Sequence, residues 1–245
     1  MVIGADPVTI QPPQEQTGVR LSVSSGKARA FPILPTRDVR RDRQPVQFAL
    51  KRLVDIVVSI IGLLFLLPLL LIIAIAIKID SRGPVIFSQT RAGLGGKPFR
   101  MFKFRTMVAD ADKIKMELQH LNESGDIRLF KIKNDPRVTR VGKWLRKLSL
   151  DELPQLINVI RGDMSLVGPR PFFTSDLEAY EDEHFERLWV VPGITGLWQV
   201  SGRSDILDFE EVVALDRKYI REWNIWKDLK ILARTVPAAI GRGAY

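Results

Sequence analysis

The chain has 245 residues, room for one domain of ordinary size plus a tail and too few for two full domains. Its 37 Lys and Arg outweigh 28 Asp and Glu, a formal charge of +9, which points to an anionic partner: nucleic acid, a phosphorylated metabolite or an anionic lipid surface. The absence of cysteine excludes disulfides and thiolate metal sites, and two isolated histidines, His120 and His184, argue against zinc, so any metal would be oxygen-bound, as Mg2+ is.

Residues 1–46 carry Pro7, Pro12, Pro13, Pro32 and Pro35 among Gln, Ser, Thr and Arg, without a sustained hydrophobic period. This composition reads as a flexible tail. The first long apolar run begins too late to be a secretory signal.

That run, IVVSIIGLLFLLPLLLIIAIAI, extends from Ile56 to Ile77 without a charge and is apolar all round. Its length suits a bilayer core, and a soluble amphipathic helix would show a polar face. Residues 47–80 are therefore expected to form the membrane element. Lys and Arg flank it on both sides, among them Lys51, Arg52, Lys78 and Arg82, so charge asymmetry selects neither orientation. Pro68 cannot donate to the carbonyl of Leu64 and should break the helix. Charge and proline alone leave two forms open: a hairpin that enters one leaflet and returns, and a kinked spanning helix.

Residues 81–245 read as a soluble α/β or α+β domain. PVIFSQTR and KPFRMFKFRTM are strand-like around a GLGG turn, which predicts a β-hairpin. ADADKIKMELQHLN, VGKWLRKL and DELPQLINVIRG read as helices, with Gly142 and Gly162 at their edges. PGITGLWQVSGR, residues 192–203, reads as a shaped loop ending in Arg203 that could contact a nucleotide or phosphate, although turn chemistry also accounts for its glycines. The segment beginning DFEEVV predicts two amphipathic helices, with Trp223 and Trp226 either at a headgroup level or in the core.

Asp151 and Glu152 stand in KLSLDELPQL, a stretch surrounded by Lys and Arg. The bland reading is a capping box, Ser149-x-x-Glu152, with Pro154 near a helix start. The chemical reading draws on the neighbours: Arg137, Arg146 and Arg170 in the flanking motifs, and Lys103 and Arg105 in the hairpin. A helix start with converging cations suits a phosphate, and two carboxylates beside a diphosphate suit Mg2+. An Asp can also attack phosphorus and split one transfer into two displacements. No P-loop pattern surrounds Gly93, Gly95 and Gly96.

The succession KRLVD, FSQTRAG, KFRTM, NDPRVTRVGKWLRKLSLDELPQLINVIRGDMSLVGPRP and PGITGLWQVSGR resembles the bacterial sugar transferases, the monotopic phosphoglycosyl transferases that initiate exopolysaccharide assembly, over about residues 48–235. The resemblance implies a membrane-associated α/β (α+β) fold, with a re-entrant helix broken at Pro68 and a cytoplasmic catalytic domain on the bacterial inner membrane. It implies transfer of a hexose 1-phosphate from a UDP-sugar to undecaprenyl phosphate, with release of UMP. Mg2+ would be the cofactor, and the covalent phosphosugar would form on Asp151 with Glu152 assisting as metal ligand or activating group. Lys103, Arg105, Arg137, Arg146, Arg170 and Arg203 become the phosphate-binding candidates. Family members often carry Ser before the membrane proline, where this chain has Leu67. SGRSDILDFEEVVALDRKYI is closer to the hexose-transferring enzymes, and galactose or glucose is expected.

Two other classes and one nearer rival compete. A basic membrane-bound adaptor needs no Asp151, and a nucleic-acid binder is disfavoured by the apolar run and the lack of aromatic-basic repeats. A polyprenyl diphosphate phosphatase would also begin with Asp attack but would transfer to water. Lipid contact is expected, and a homo-oligomer is compatible with the sequence.

Overall fold

The computed structural model describes residues 18–19 and 34–241, apart from 109, 115–117, 119–131, 133, 203–205 and 207. It is a helix-rich α+β body with small sheets. β1 (Gly18–Val19) pairs antiparallel with β2 (Leu34–Pro35). Helix α1 (Val39–Arg43) follows, its N-cap Asp38 accepting from the backbone N–H of Arg40. Residues 34–43 thus lie in the packed body rather than in a tail: Leu34 is buried, and so is Arg40, which forms a bidentate pair with Asp38.

The apolar run forms two helices, α2 (Pro45–Phe65) and α3 (Leu67–Asp80), bent by 63°. Among the described residues no single helix is long and apolar enough to cross a membrane; the bent pair meets the test only jointly. The break falls at Leu66, whose backbone N–H donates to the carbonyl of Gly62 at 2.9 Å. Pro68 itself sits in the first turn of α3, where a missing N–H costs little.

The predicted hairpin forms as β3 (Ile86–Ala92) and β4 (Pro98–Phe104), antiparallel, with Phe87 opposite Lys103. Helix α4 spans only Ala111–Ile114; most of the longer helix expected there lies outside the described residues, as does His120. Helix α5 (Arg140–Lys147) is capped by Thr139, whose hydroxyl accepts from the N–H of Gly142. Gly142 is inside this helix, not at its edge. A Cβ there would lie 2.1 Å from the backbone oxygen of Thr106, so glycine is what allows α5 to lie against the strand exit.

DELPQLINVIRG divides into a 3-10 turn, Leu150–Glu152, and helix α6 (Gln155–Arg161), which ends at Gly162. β5 (Ser165–Val167) then pairs in parallel with β6 (Gly193–Thr195), a sheet the sequence did not announce. Its three-residue strands are too short to show alternation. The two motifs SLVGPRP and PGITG meet here backbone to backbone. Gly168 donates to the carbonyl of Thr195 at 2.9 Å, Gly193 donates to that of Pro169 at 2.8 Å, and a Cβ on Gly193 would meet the Gly168 nitrogen at 2.1 Å. PGITGLWQVSGR is accordingly a strand followed by helix α7 (Leu197–Ser201), rather than a loop.

The expected amphipathic helices are α8 (Phe209–Arg221) and α9 (Ile225–Gly241). The two tryptophans divide: Trp223 is buried in the core and Trp226 is exposed. The main core joins Val159, Met164, Val167, Tyr219 and Ile220, and a second cluster joins Ile73 and Ile77 of α3 to Phe104 and Leu145. A buried polar seam runs through the main core. Arg40 donates to the Tyr219 hydroxyl at 2.9 Å, the Tyr219 hydroxyl lies 2.7 Å from Asp228, and Lys51 reaches Asp228 at 2.7 Å. Asp55, one turn beyond Lys51, accepts from the Ser165 hydroxyl at 2.7 Å and from the Leu166 N–H at 3.1 Å. Lys51, Asp55 and Ser59 thus form the buried stripe of α2, while its apolar side chains Leu53, Ile61, Leu64 and Phe65 face outward.

Candidate active site

Each element brings one part of the site. Strand β4 carries Lys103, and the chain leaving it passes Arg105 and Thr106 beneath α5. Helix α5 ends in Arg146 and Lys147, and the chain reverses at Ser149, whose φ of 56° is left-handed. That conformation costs a non-glycine residue about 1–2 kcal/mol, and it starts the turn holding Asp151 and Glu152. The β5–β6 crossing then sets Arg170 opposite the turn.

The two carboxylates are held differently. A single oxygen of Glu152, Oε1, accepts from Lys103 Nζ at 3.0 Å and from Arg170 Nη2 at 2.6 Å. Asp151 has Lys103 at 3.7 Å, an ion-pair distance too long for a hydrogen bond. The capping-box reading does not hold. Ser149 makes no side-chain cap bond to the turn, and the Glu152 carboxylate turns to the two cations instead.

The electrostatics follow this geometry. Burial pushes the Asp151 carboxyl up, against the pull of Lys103, with Glu152 adding to the rise and Arg146 and Arg170 opposing it. Burial acts on Glu152 in the same sense, but Arg170 and Lys103 outweigh it and hold its carboxyl well below the usual range. Burial also lowers the Lys103 ammonium. Glu152 is therefore a fixed anion, and Asp151 is a buried carboxylate with no direct hydrogen-bond donor among the described residues.

The six cations singled out in the sequence separate. Lys103 and Arg170 touch the pair, and Arg146 lies close enough to act on Asp151 while its Nε donates to the Thr106 hydroxyl at 3.0 Å. Arg105 turns away: its Nη2 donates to the Ser81 carbonyl at 2.6 Å and to the Ile77 carbonyl at 3.4 Å, closing the C-terminus of α3. Arg137 pairs with Asp135 at 2.7 Å and donates to the carbonyl of Ala111. Arg203 lies outside the described residues.

One cation was missed. Arg91 stacks on Phe173 at 3.5 Å and donates to Gln89 at 2.6 Å. Burial and the neighbouring Arg170 make its charge costlier than usual, and Asp176 and then Glu152 counter them. FSQTRAG carried the residue into view, but only its pairing across from the GPRP segment brings it to the site.

Among the described residues no group of three or more His, Cys, Asp or Glu could hold a metal. The pair Asp151–Glu152 still fits Mg2+ in the manner usual for that ion, one or two carboxylates completed by substrate phosphates and water. Only one of Glu152's oxygens is engaged by the two cations.

Residues 46–242 match the family model described as bacterial sugar transferase. The "Galactosyl transferase CpsE" of Streptococcus agalactiae serotype III is 48% identical over 195 residues, 79% of this chain and 43% of that protein. The "UDP-glucose:undecaprenyl-phosphate glucose-1-phosphate transferase" of Caulobacter vibrioides is 45% identical over 78% of this chain and 69% of its own length. The "Exopolysaccharide production protein ExoY" of Rhizobium meliloti is 42% identical over 82% of this chain and 91% of its own length. The chain thus spans less than half of the first of these relatives, 43%, and nearly all of the last.

Proposed function

Because the chain belongs to the bacterial sugar transferase family, we propose that it transfers a hexose 1-phosphate from a UDP-sugar to undecaprenyl phosphate, as the first step of exopolysaccharide assembly. The observation that carries the reading is the unequal pair: an anchored Glu152 beside an Asp151 to which none of the described residues donates. An oxygen of Asp151 attacks the sugar-bearing phosphorus. The bond from that phosphorus to the bridging oxygen breaks, and UMP leaves with the electron pair. A phosphate oxygen of undecaprenyl phosphate then attacks the same phosphorus, the Asp151–phosphorus bond breaks, and the lipid diphosphate sugar departs. Splitting the transfer lets one site serve two acceptors in turn.

The cations do the remaining work. Lys103 and Arg170 stand beside both the carboxylates and the incoming phosphates, where they offset charge that builds during displacement. Arg146 and Arg91 extend the positive field on either side. Asp151 and Glu152 would hold Mg2+, which supplies further charge neutralisation on the diphosphate. Galactose and glucose are the favoured sugars, in keeping with the names of the relatives.

The bent pair α2–α3 is read as a re-entrant element in the cytoplasmic membrane, with the body on the cytoplasmic side. Two features support this. Large apolar side chains stand exposed on both limbs, Phe65 at 81% and Ile79 at 82%. Both outer ends are also fastened to one body: Lys51 and Arg52 at the start, by Asp228 and the carbonyl of Val159, and Asp80 at the end, which accepts from the N–H of Val141 at 3.0 Å.

Purified protein with Mg2+ and a panel of UDP-hexoses, without lipid acceptor, tests the reading. About one UMP per active enzyme and a hexose-phosphate mass gain, both lost in Asp151→Asn, are expected. UMP release only after undecaprenyl phosphate is added, without an adduct, would replace the covalent route by direct transfer.

A further inference from the structure

The carboxylate turn also borders a cavity of about 280 Å3 between the 3-10 turn, α7 and α9. Glu152, Leu148, Leu153, Val200 and Val236 are among its lining residues, and Asp151, next to Glu152, is not. Leu148 and Val236 are 41% and 62% exposed, whereas Glu152 is 9% exposed. The exposed part of this lining is therefore apolar, and its buried part includes the carboxylate next to Asp151. Leu153 also packs against the cluster that contains Ile73 and Ile77 of α3, so the cavity adjoins the apolar hairpin.

We infer that this cavity receives the first isoprene units of the polyprenyl phosphate acceptor, with the phosphate end directed to Asp151 and the rest of the chain continuing into the bilayer beside α3. The inference rests on the phosphoglycosyl transfer reading. It is carried by three things: exposed apolar residues in the lining, Leu153 shared with the α3 cluster, and the buried carboxylate of Glu152 beside Asp151.

The chemistry of the lining disfavours the donor. The Thr195 hydroxyl lies 2.9 Å from that of Thr235, which donates in turn to the Ile231 carbonyl at 2.8 Å, and the Gln199 amide donates to the Ile194 carbonyl at 2.9 Å. A uridine or hexose seated here would strand its own polar groups, a cost that an isoprenoid chain does not incur. Gln199 Oε1, buried without a partner, is the exception among these groups. In size, an apolar cavity of about 150 Å3 accepts a benzene ring. This one takes roughly two five-carbon units on that scale.

The test uses the full chain in nanodiscs with Mg2+, UDP-hexose and undecaprenyl phosphate. Val200→Phe, which fills the cavity, is expected to raise the acceptor KM at least about tenfold and to move the donor KM far less, the signature of lost acceptor binding. An active wild type with an unchanged acceptor KM in the variant would overturn the inference and leave the transfer reading intact. Wild type that forms no lipid-linked sugar would overturn that reading instead. The second arm needs no turnover and no variant. A polyprenyl phosphate with a photoreactive group on its second isoprene unit is crosslinked to wild type and mapped by mass spectrometry. Labels on Leu148, Leu153 or Val236 are expected; labels confined to the outer side chains of α3, such as Leu71 and Ile72, would place the chain elsewhere.

Discussion

Lys51 of α2 and Asp228 of α9 meet at 2.7 Å in the interior, both almost fully shielded from solvent. This pair fastens the bent helices α2–α3 to the rest of the body through charge, in addition to the apolar packing of Ile73 and Ile77. Lys51 also donates to the Val167 carbonyl at 3.1 Å and lies 3.7 Å from Asp55. Lys51→Met therefore leaves two buried carboxylates without their cation, and breaking such a pair costs about 3–5 kcal/mol. Denaturation of the detergent-solubilised variant should show a loss of that size, and a loss under about 1 kcal/mol would mean that the seam is hydrated and slack.

The unequal pair predicts a pH profile. The Asp151 carboxyl is raised by burial and further by Glu152, so its ionised form is lost on acidification at a pH above that of an ordinary Asp. UMP release in the absence of acceptor should fall on the acid side with a limb shifted in that direction. In Glu152→Gln the like charge disappears and Lys103 and Arg170 remain, so the limb of the residual rate should move to lower pH. A limb that stays in place would assign the titration to another group.

Glu152 contributes to stability with the opposite sign. Its folded-state carboxyl is held below the unfolded value by Arg170 and Lys103, despite burial. The contribution is present above the unfolded pKa and is lost as pH falls through the folded one. Wild type should therefore lose more stability between neutral and strongly acid pH than Glu152→Gln does. Equal losses measured by denaturant titration at each pH would refute the assignment.

What the sequence showed and what it hid separate by range. The β3–β4 hairpin, α5, α8 and α9 were legible because turn residues or apolar periods mark them locally. The polar stripe of α2 was not: Lys51 reads as a membrane-flanking charge until Asp228, far along the chain, supplies its partner. Arg105 and Arg137 look equivalent to Arg170 in their motifs. Only the fold turns the first two onto the Ser81 carbonyl and Asp135 and the third onto Glu152. The β5–β6 pair is likewise set by crossing backbones, which short strands do not advertise.

Two helical glycines give a paired test of packing. Gly142→Ala would place a methyl 2.1 Å from the Thr106 oxygen, and a backbone atom cannot yield as a side chain does. Overpacking of this kind costs about 1–3 kcal/mol, and here it also displaces the Thr106 hydroxyl that receives Arg146. Melting should fall and kcat/KM should drop with it. At Gly62 the nearest atom to an added Cβ is Leu156 Cδ1 at 3.5 Å, ordinary contact. Gly62→Ala should be neutral or stabilising by about 0.5–1 kcal/mol through helix propensity, and equal damage from both substitutions would remove close approach as the cause.

Arg91 allows donor binding to be separated from chemistry. It stacks on Phe173 and is felt electrically by Arg170 and Glu152, but it makes no ion pair with either carboxylate among the described contacts. A cation so placed binds a phosphate equally before and during displacement, and such uniform binding appears in KM rather than in kcat. Charge-assisted hydrogen bonds contribute about 1.5–3 kcal/mol. Arg91→Ala should therefore raise the KM for the UDP-sugar by roughly ten- to a hundredfold in single-turnover UMP release, with the saturated rate little altered. Arg170→Ala should lower the saturated rate as well, because it frees the Glu152 carboxylate that Arg170 grips at 2.6 Å. A fall in the Arg91→Ala saturated rate at constant KM would instead assign Arg91 to charge that develops only during displacement.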